Sequence, residues 1–389
     1  MIRSAFPYGG YLPRVDIGYG HGREKADNST TIGTGEATLT RREKSVTLSQ
    51  MLFDSFSTAS EVARNRARVQ SSAYRVAGTS EQIALRVVEA YLDVLRLREN
   101  VQLTKENVAT HQKTFDQITL RADSGVGRRA DQDQSLARFA LAKSNLVAAE
   151  ANLRDAEINY QRYTGSFPDA LIMPEGPKAS QLPTSLTSAF EQARDHNPLL
   201  KLAQADVDAA NAQNRAAKAV FGPRLDLEAG INNMENAGGY EGDNNSRYAM
   251  LRFRMNLLRG GSDYARVGET RALAYEATEV MKRTILQLDQ SVGLSWNAHM
   301  SVRDRLPNLR QHAESSLLTR DAYVKQFSIG QRTLIDLLDT ENEYYTSNVE
   351  YLNGKYLELF SGYRLMADMG RLLDTLNIAK REESIALAR

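Results

Sequence analysis

The chain has 389 residues, 49 basic against 48 acidic side chains, a formal net charge of +1 and no cysteine. That balance, without a polybasic block, gives no reason to expect nucleic acid or an anionic membrane surface as a partner, and the missing thiols exclude disulfide frameworks, zinc–thiolate sites and cysteine nucleophiles. No apolar run approaches the roughly 18–20 residues that would cross a bilayer as a helix, and residues 1–20 lack the charged-then-apolar form of a secretory signal, so the protein is either soluble or meets the membrane another way.

In chain order, the first element is "YLPRVDIGYG" (11–20), in which Val15, Ile17 and Tyr19 fall on one face. Period two predicts a strand with one apolar face. A polar, glycine-containing loop, "GREKADNSTTIGTGEATLTRREK" (22–44), leads to a second strand, "SVTLSQML" (45–52), with Val46, Leu48 and Leu52 aligned. From Ser57 to Ala122 glycine-proline punctuation is missing, which predicts a helix of roughly 100 Å at 1.5 Å per residue. Ile83, Val87, Ala90, Val94, Leu97 and onward to His111 and Ile118 alternate four and three apart, a heptad seam. After a turn at Gly125 a second helix runs back, with Phe139, Leu146, Leu153 and Tyr160 seven apart, so an antiparallel helical hairpin is expected.

"GSFPDALIMPEGPKASQLPTS" (165–185) has no helical period and reads as a linker or equatorial belt. A helix over 186–220 precedes a second strand pair. Leu225, Leu227 and Ile231 align, then a polar loop (233–247), then Leu251, Phe253, Met255 and Leu257, with Arg252 and Arg254 on the opposite, wet face. The next long helix keeps its seam at Leu288, Val292, Ser295, His299 and Val302, and Pro307 inside it predicts a kink there or nearby. Gly330 marks the second turn, and Tyr344 and Tyr351 lie on the returning helix.

These elements repeat. "MLFDSFSTASEVARNRA" (51–67) lies against "NLLRGGSDYARVGETRA" (256–272) at a shift of 205, and the shift also carries Gly125 onto Gly330, Asp131 onto Asp336 and Gly165 onto Gly370. The chain therefore reads as a tandem duplication. Its units are 1–165, a strand pair and hairpin; 166–185, the equatorial segment; 186–370, a helix, strand pair and hairpin; and 371–389, a C-terminal tail. The first copy has no counterpart of the 186–220 helix, so that helix and a signal peptide are expected to be missing from this sequence. Four amphipathic strands with a lipid-like face leave open edges, so the sheet must close with further copies of the chain.

The paired strand openings, the strand-to-helix passages and the turns "SGVGRRADQDQSLARFALA" and "FSIGQRTLIDLLDTENEY" resemble the TolC family of outer membrane factors. The resemblance implies a mainly α fold with β: an outer-membrane β-barrel completed by trimerisation, four strands per chain, continued by a long α-helical coiled-coil barrel in the periplasm. It implies a homotrimer set in outer membrane lipid, working with a periplasmic adaptor and an inner-membrane ABC or other pump. Agglutination-type and type I secretion members look nearest, which implies a protein such as an adhesin as cargo. Small-molecule or drug efflux, and a coiled-coil scaffold without channel activity, stay as alternatives.

By the same resemblance Asp336 and Asp339 match pore-lining aspartates, Arg332 the basic residue of a tip latch and Asp131 its acidic partner. Phe327 departs from a tyrosine that often helps the latch, and Arg128 and Arg129 offer other cations. Three copies would set six carboxylates in a ring that attracts cations and raises some of their pKa values. Spacing alone reads the two aspartates as a solvated helix face or as charges favoured by the helix dipole, and Arg332 with Asp131 as an exposed ion pair. The five histidines lack ligand spacing, "GYGHG" is not followed by a helix, and no nucleophile stands with a base. No metal, cofactor or enzymatic activity is expected.

Overall fold

The computed structural model describes residues 6–29, 31 and 37–385. Part of the first loop, at 30 and 32–36, and the ends of the chain lie outside the described residues. Four strands, β1 (Arg14–Ala26), β2 (Ala37–Phe53), β3 (Arg224–Glu235) and β4 (Asp243–Arg254), form one antiparallel sheet in that order. The helices are α1 (Ser57–Asp123), α2 (Arg129–Thr164), α3 (Leu186–His196), α4 (Pro198–Lys218), α5 (Ser262–Ser328), α6 (Leu334–Asp368) and the short α7 (Leu372–Thr375) and α8 (Glu382–Ile385). Among the described residues no helix is long and apolar enough to cross a membrane.

The duplication is visible in the backbone. α1 and α5 are both 67 residues long and start 205 apart, as do α2 and α6. Gly125 and Gly330 take φ of 76° and 80°, Gly165 and Gly370 of 81° and 72°. α5 continues through Pro307 without interruption. The chain forms two compact units, one joining the segment up to Tyr74 with Lys201–Thr284, the other joining Arg75–Leu200 with Ile285–Ile385.

In the first unit the strands outrun their apolar cores. Residues 22–26 and 37–44, expected in a loop, belong to β1 and β2, residues 233–235 and 243–247 to β3 and β4, while Met255 and Leu257 lie beyond β4. Charged side chains on both faces hide period two from a hydrophobicity test. They pair instead, Arg41 with Glu24 (3.2 Å) and Glu43, and Arg42 with Glu235 (3.2 Å). Lower down, Ile17 faces Val46, Val46 faces Ile231 and Leu227 faces Leu251. That face is open: Ile17 is 81% exposed, Tyr19 70% and Phe253 64%. The polar face holds the shielded charge, Asp226 bound by Arg224 (2.9 Å) and Arg254 (2.7 Å). Apolar residues outside and ion pairs inside invert a water-soluble sheet and suit a strand band in lipid.

In the second unit the seam residues Ala90, Val94, Leu97, Val101, Thr104, His111 and Ile118 are buried, as are Leu288, Val292, Ser295 and His299. Ile83 is exposed. On α2 the buried stripe is one of small residues, Ser135, Ala142, Ala149 and Ala156; their counterparts on α6, Thr340, Ser347, Gly354 and Ser361, are buried too, there beside large residues such as Leu338, Leu352 and Met366. Phe139, Leu146, Leu153 and Tyr160, expected to carry the packing, are only half-buried beside it. Small side chains let helix backbones approach closely.

Residues 165–185 form no helix or strand. They strap this unit through Tyr91, whose hydroxyl donates to the Ile172 carbonyl (2.6 Å) and accepts its N–H (2.9 Å), and through Arg98, which donates to the Pro168 and Asp169 carbonyls. The stretch after 370 is not a loose tail at its start. Met369 and Leu372 are fully buried, and the Glu81 carboxylate accepts the Leu372 N–H at 3.0 Å. Burial pushes the Glu81 carboxyl up to about 7.

Candidate functional site

The candidate site is the pair of hairpin tips, where α1 turns into α2 and α5 into α6. The second tip is closed by local chemistry. Thr333 precedes α6 in extended conformation. Its hydroxyl oxygen accepts the Asp336 N–H (3.2 Å), while Asp336 Oδ2 accepts the Thr333 N–H (3.1 Å) and hydroxyl (2.8 Å). This is a reciprocal capping box. These hydrogen bonds, with Arg332 nearby, hold the Asp336 carboxyl of the single chain below its ordinary range.

Arg332 donates from Nε to Gln326 Oε1 (2.9 Å) and stacks 4.1 Å from the Tyr323 ring centroid. Within the chain it does not meet Asp131, which lies in the first turn of α2 and forms no hydrogen bond or ion pair to a described side chain. Asp339 pairs with Arg138 of α2 at 3.3 Å across the two hairpins, and remains 63% exposed. Asp336 and Asp339 thus share a helix but not a role.

Phe327 fills the place left by the missing hydroxyl differently. It is buried with Ile118, Leu334, Leu337 and Leu338, and the Arg121 guanidinium lies 5.0 Å over its ring. The cluster ties α1 to the second hairpin through apolar contact, not a tyrosine hydrogen bond. The first tip has no such closure. Arg128 precedes α2 without a side-chain cap, Val126 is 85% exposed, and the turn is held by the Val126 and Gly127 N–H groups donating to the Arg121 carbonyl.

Beside the tips a cleft of about 470 Å³ is lined by Lys113, Arg121, Arg320, Phe327 and Glu341. Burial pushes the Glu341 carboxyl up to about 7, against the pull of Arg320. Sequence reasoning passed over Thr333, Arg138 and Glu341. The first was legible as a threonine three residues before an acid at a helix start. Glu341 follows Leu337 and Leu338 at helical spacing, an acid on an apolar face. Arg138 carried no signal, because its partner belongs to the other copy.

The family model described as "Outer membrane efflux protein" matches residues 9–166 and 189–371. The chain is 24% identical over 363 residues to the outer membrane efflux protein BepC of Brucella suis biovar 1, covering 93% of this chain and 78% of that one. It is 26% identical over 373 residues to the alkaline protease secretion protein AprF of Pseudomonas aeruginosa, covering 91% and 76%. Its fold matches the crystal structure of the Campylobacter jejuni CmeC outer membrane channel with a TM-score of 0.82 at 15% identity, over 98% of this chain and 83% of that one. The chain belongs to the outer membrane efflux protein family, the TolC family of the sequence resemblance. Its strands lie in the outer membrane and its helical hairpins form part of a periplasmic tunnel.

Proposed function

We infer that this chain is one of three identical protomers of an export duct, each giving four strands to a twelve-stranded barrel and its hairpins to a tunnel. The observation that carries the reading is the sheet itself: one apolar and one ionic face, with β1 and β4 as edges that have no partner strand among the described residues. In lipid such edges have no water to bond, so they must pair with other copies. Substrate passes from an inner-membrane ABC or other pump, through a periplasmic adaptor, into the tunnel and out of the cell. The chain acts as a conduit without catalysis.

The cargo is a protein, as in type I secretion. The similarity to an alkaline protease secretion protein favours this; the similarity to BepC favours drug efflux as the second reading. The tips are the gate. Asp131, without a side-chain partner among the described residues, is the acid that a neighbouring protomer's Arg332 engages, and Asp339 with Asp336 lines the constriction.

The test is single-channel conductance of detergent-purified protein in a planar bilayer, comparing wild type with Asp336→Asn plus Asp339→Asn. A cation-selective pore whose selectivity falls in the double variant is expected. Folded, inserted protein that does not conduct would overturn the duct. Unchanged selectivity would remove the aspartates from the gate.

A further inference from the structure

The even net charge hides a local excess of positive charge on the lipid-facing side of the sheet. Along that face the apolar band gives way to basic residues toward the same end of the strands. β1 passes from Val15, Ile17 and Tyr19 to His21 and Arg23, β2 from Leu48 and Val46 to Lys44 and Arg42, and β4 from Leu251 and Ala249 to Arg247, all exposed. The register staggers these switches over three neighbouring rows: Arg247 of β4 stands opposite Ile231, the partner of Val46, Lys44 of β2 one row further out opposite both Tyr19 and Asn233, and Arg42 and His21 opposite each other in the row beyond. The acids on the same face are Asp243 and Glu235, the latter held by Arg42. On the polar face, by contrast, Arg41 is matched by Glu24 and Glu43.

The level of this cluster identifies what meets it. The other strand ends, Phe53 and Arg254, run into α1 and α5, which are periplasmic, so the basic cluster marks the outward edge of the apolar band. At that depth lie the headgroups of the outer leaflet, which in a bacterial outer membrane is built from phosphorylated glycolipid. Guanidinium and ammonium groups directly above an apolar strand face match a phosphate carried on acyl chains.

We propose that Arg42, Lys44 and Arg247, with His21 and Arg23 beside them, form a binding site for the phosphate groups of an outer-leaflet lipid A-type glycolipid. The site rests on the outer-membrane location and not on the duct, so conductance and lipid binding can fail separately. It anchors the barrel against vertical movement at its outer rim.

The experiment is native mass spectrometry of the detergent-solubilised full chain, titrated with bisphosphorylated lipid A, dephosphorylated lipid A and phosphatidylglycerol. Bisphosphorylated lipid A is expected to bind at least about 10-fold more tightly than either of the others, and Arg42→Gln, Lys44→Gln and Arg247→Gln together to abolish that preference. The charge-keeping set Arg42→Lys, Lys44→Arg and Arg247→Lys should retain it. Equal binding of the dephosphorylated lipid or of phosphatidylglycerol by wild type would overturn the site without any variant. So would an unchanged preference in the glutamine variant, whose assembly is checked by its oligomeric mass in the same spectra.

Discussion

The two hairpin tips start from one backbone and finish differently. Gly125 and Gly330 take the same left-handed conformation, and Asp131 and Asp336 occupy the same place in the following helix. In the second copy Asp336 closes a capping box, Arg332 stacks on Tyr323 and Phe327 is buried. In the first, Arg128 offers no cap and Asp131 is left open. Duplication gave both copies the same turn, but only one tip is satisfied by its own residues. The other leaves Asp131 without a side-chain partner among the described residues, as the proposed gate between protomers would require.

The largest test of the comparison lies in the shared stripe of small residues. At Gly354 a Cβ would lie 2.8 Å from Leu309 Cδ1 and 3.2 Å from Leu306 Cδ1. Gly354→Leu should therefore overpack α5 against α6 and cost ~1–3 kcal/mol, read as a lowered unfolding temperature in detergent. Ala149, its counterpart, already carries a Cβ at a buried position. Ala149→Gly should cost ~1 kcal/mol through helix propensity alone. If Gly354→Leu is neutral, the second hairpin is not the tighter of the two.

Much of this was legible. The long run from Ser57 to Ala122 marked the first long helix almost to its end at Asp123, and the heptad seam marked its packing, because apolar residues on such a seam are required wherever helices pack for that distance. The stripe itself escaped. Phe139, Leu146, Leu153 and Tyr160 have the same spacing and greater hydrophobicity, yet the closest approach is made by Ser135, Ala142, Ala149 and Ala156, where volume and not hydrophobicity decides. Strand ends escaped for a related reason: above Tyr19 and Val46 the alternation continues in charge, and hydropathy does not register it. At the hairpin tips, residue types were legible and partners were not. Arg332 found Gln326 and Tyr323 within its own copy, while Asp339 found Arg138 in the other, pairings that depend on how two hairpins dock.

A smaller effect follows at the caps. Thr333→Ala removes the hydroxyl half of the capping box, leaving the backbone N–H of residue 333 on Asp336, and should destabilise α6 by ~1 kcal/mol. Arg128, already in the extended conformation of a cap with φ −92° and ψ 140°, precedes Asp131 by the spacing that joins Thr333 to Asp336. Arg128→Thr should build the missing box and gain a similar amount. Hydrogen exchange of the first-turn amides of α2 and α6 measures both. Protection at α2 that fails to rise would show that the first tip is set by something other than its missing cap.

The smallest effect belongs to the strand-to-helix passages. In the second copy Gly260 and Gly261 take φ of 57° and 84°; in the first the equivalent residues are Ser55 and Phe56, at 54° and 66°. A side chain in this region costs ~1–2 kcal/mol. Ser55 has local compensation, since its hydroxyl donates to the Pro223 carbonyl at 2.8 Å and Gly222 leaves room for it. Phe56 has only an edge contact with Phe53 at 5.6 Å and is 69% exposed. Phe56→Gly removes the strain, but it also gives the unfolded chain freedom worth ~0.4–1 kcal/mol. The net change in solution should then stay within about 1 kcal/mol. Aromatic rings at the rim of a membrane band favour the interface, so the same variant should lose stability in lipid relative to detergent. Equal stability in both would mean that Phe56 is tolerated strain and not an anchor.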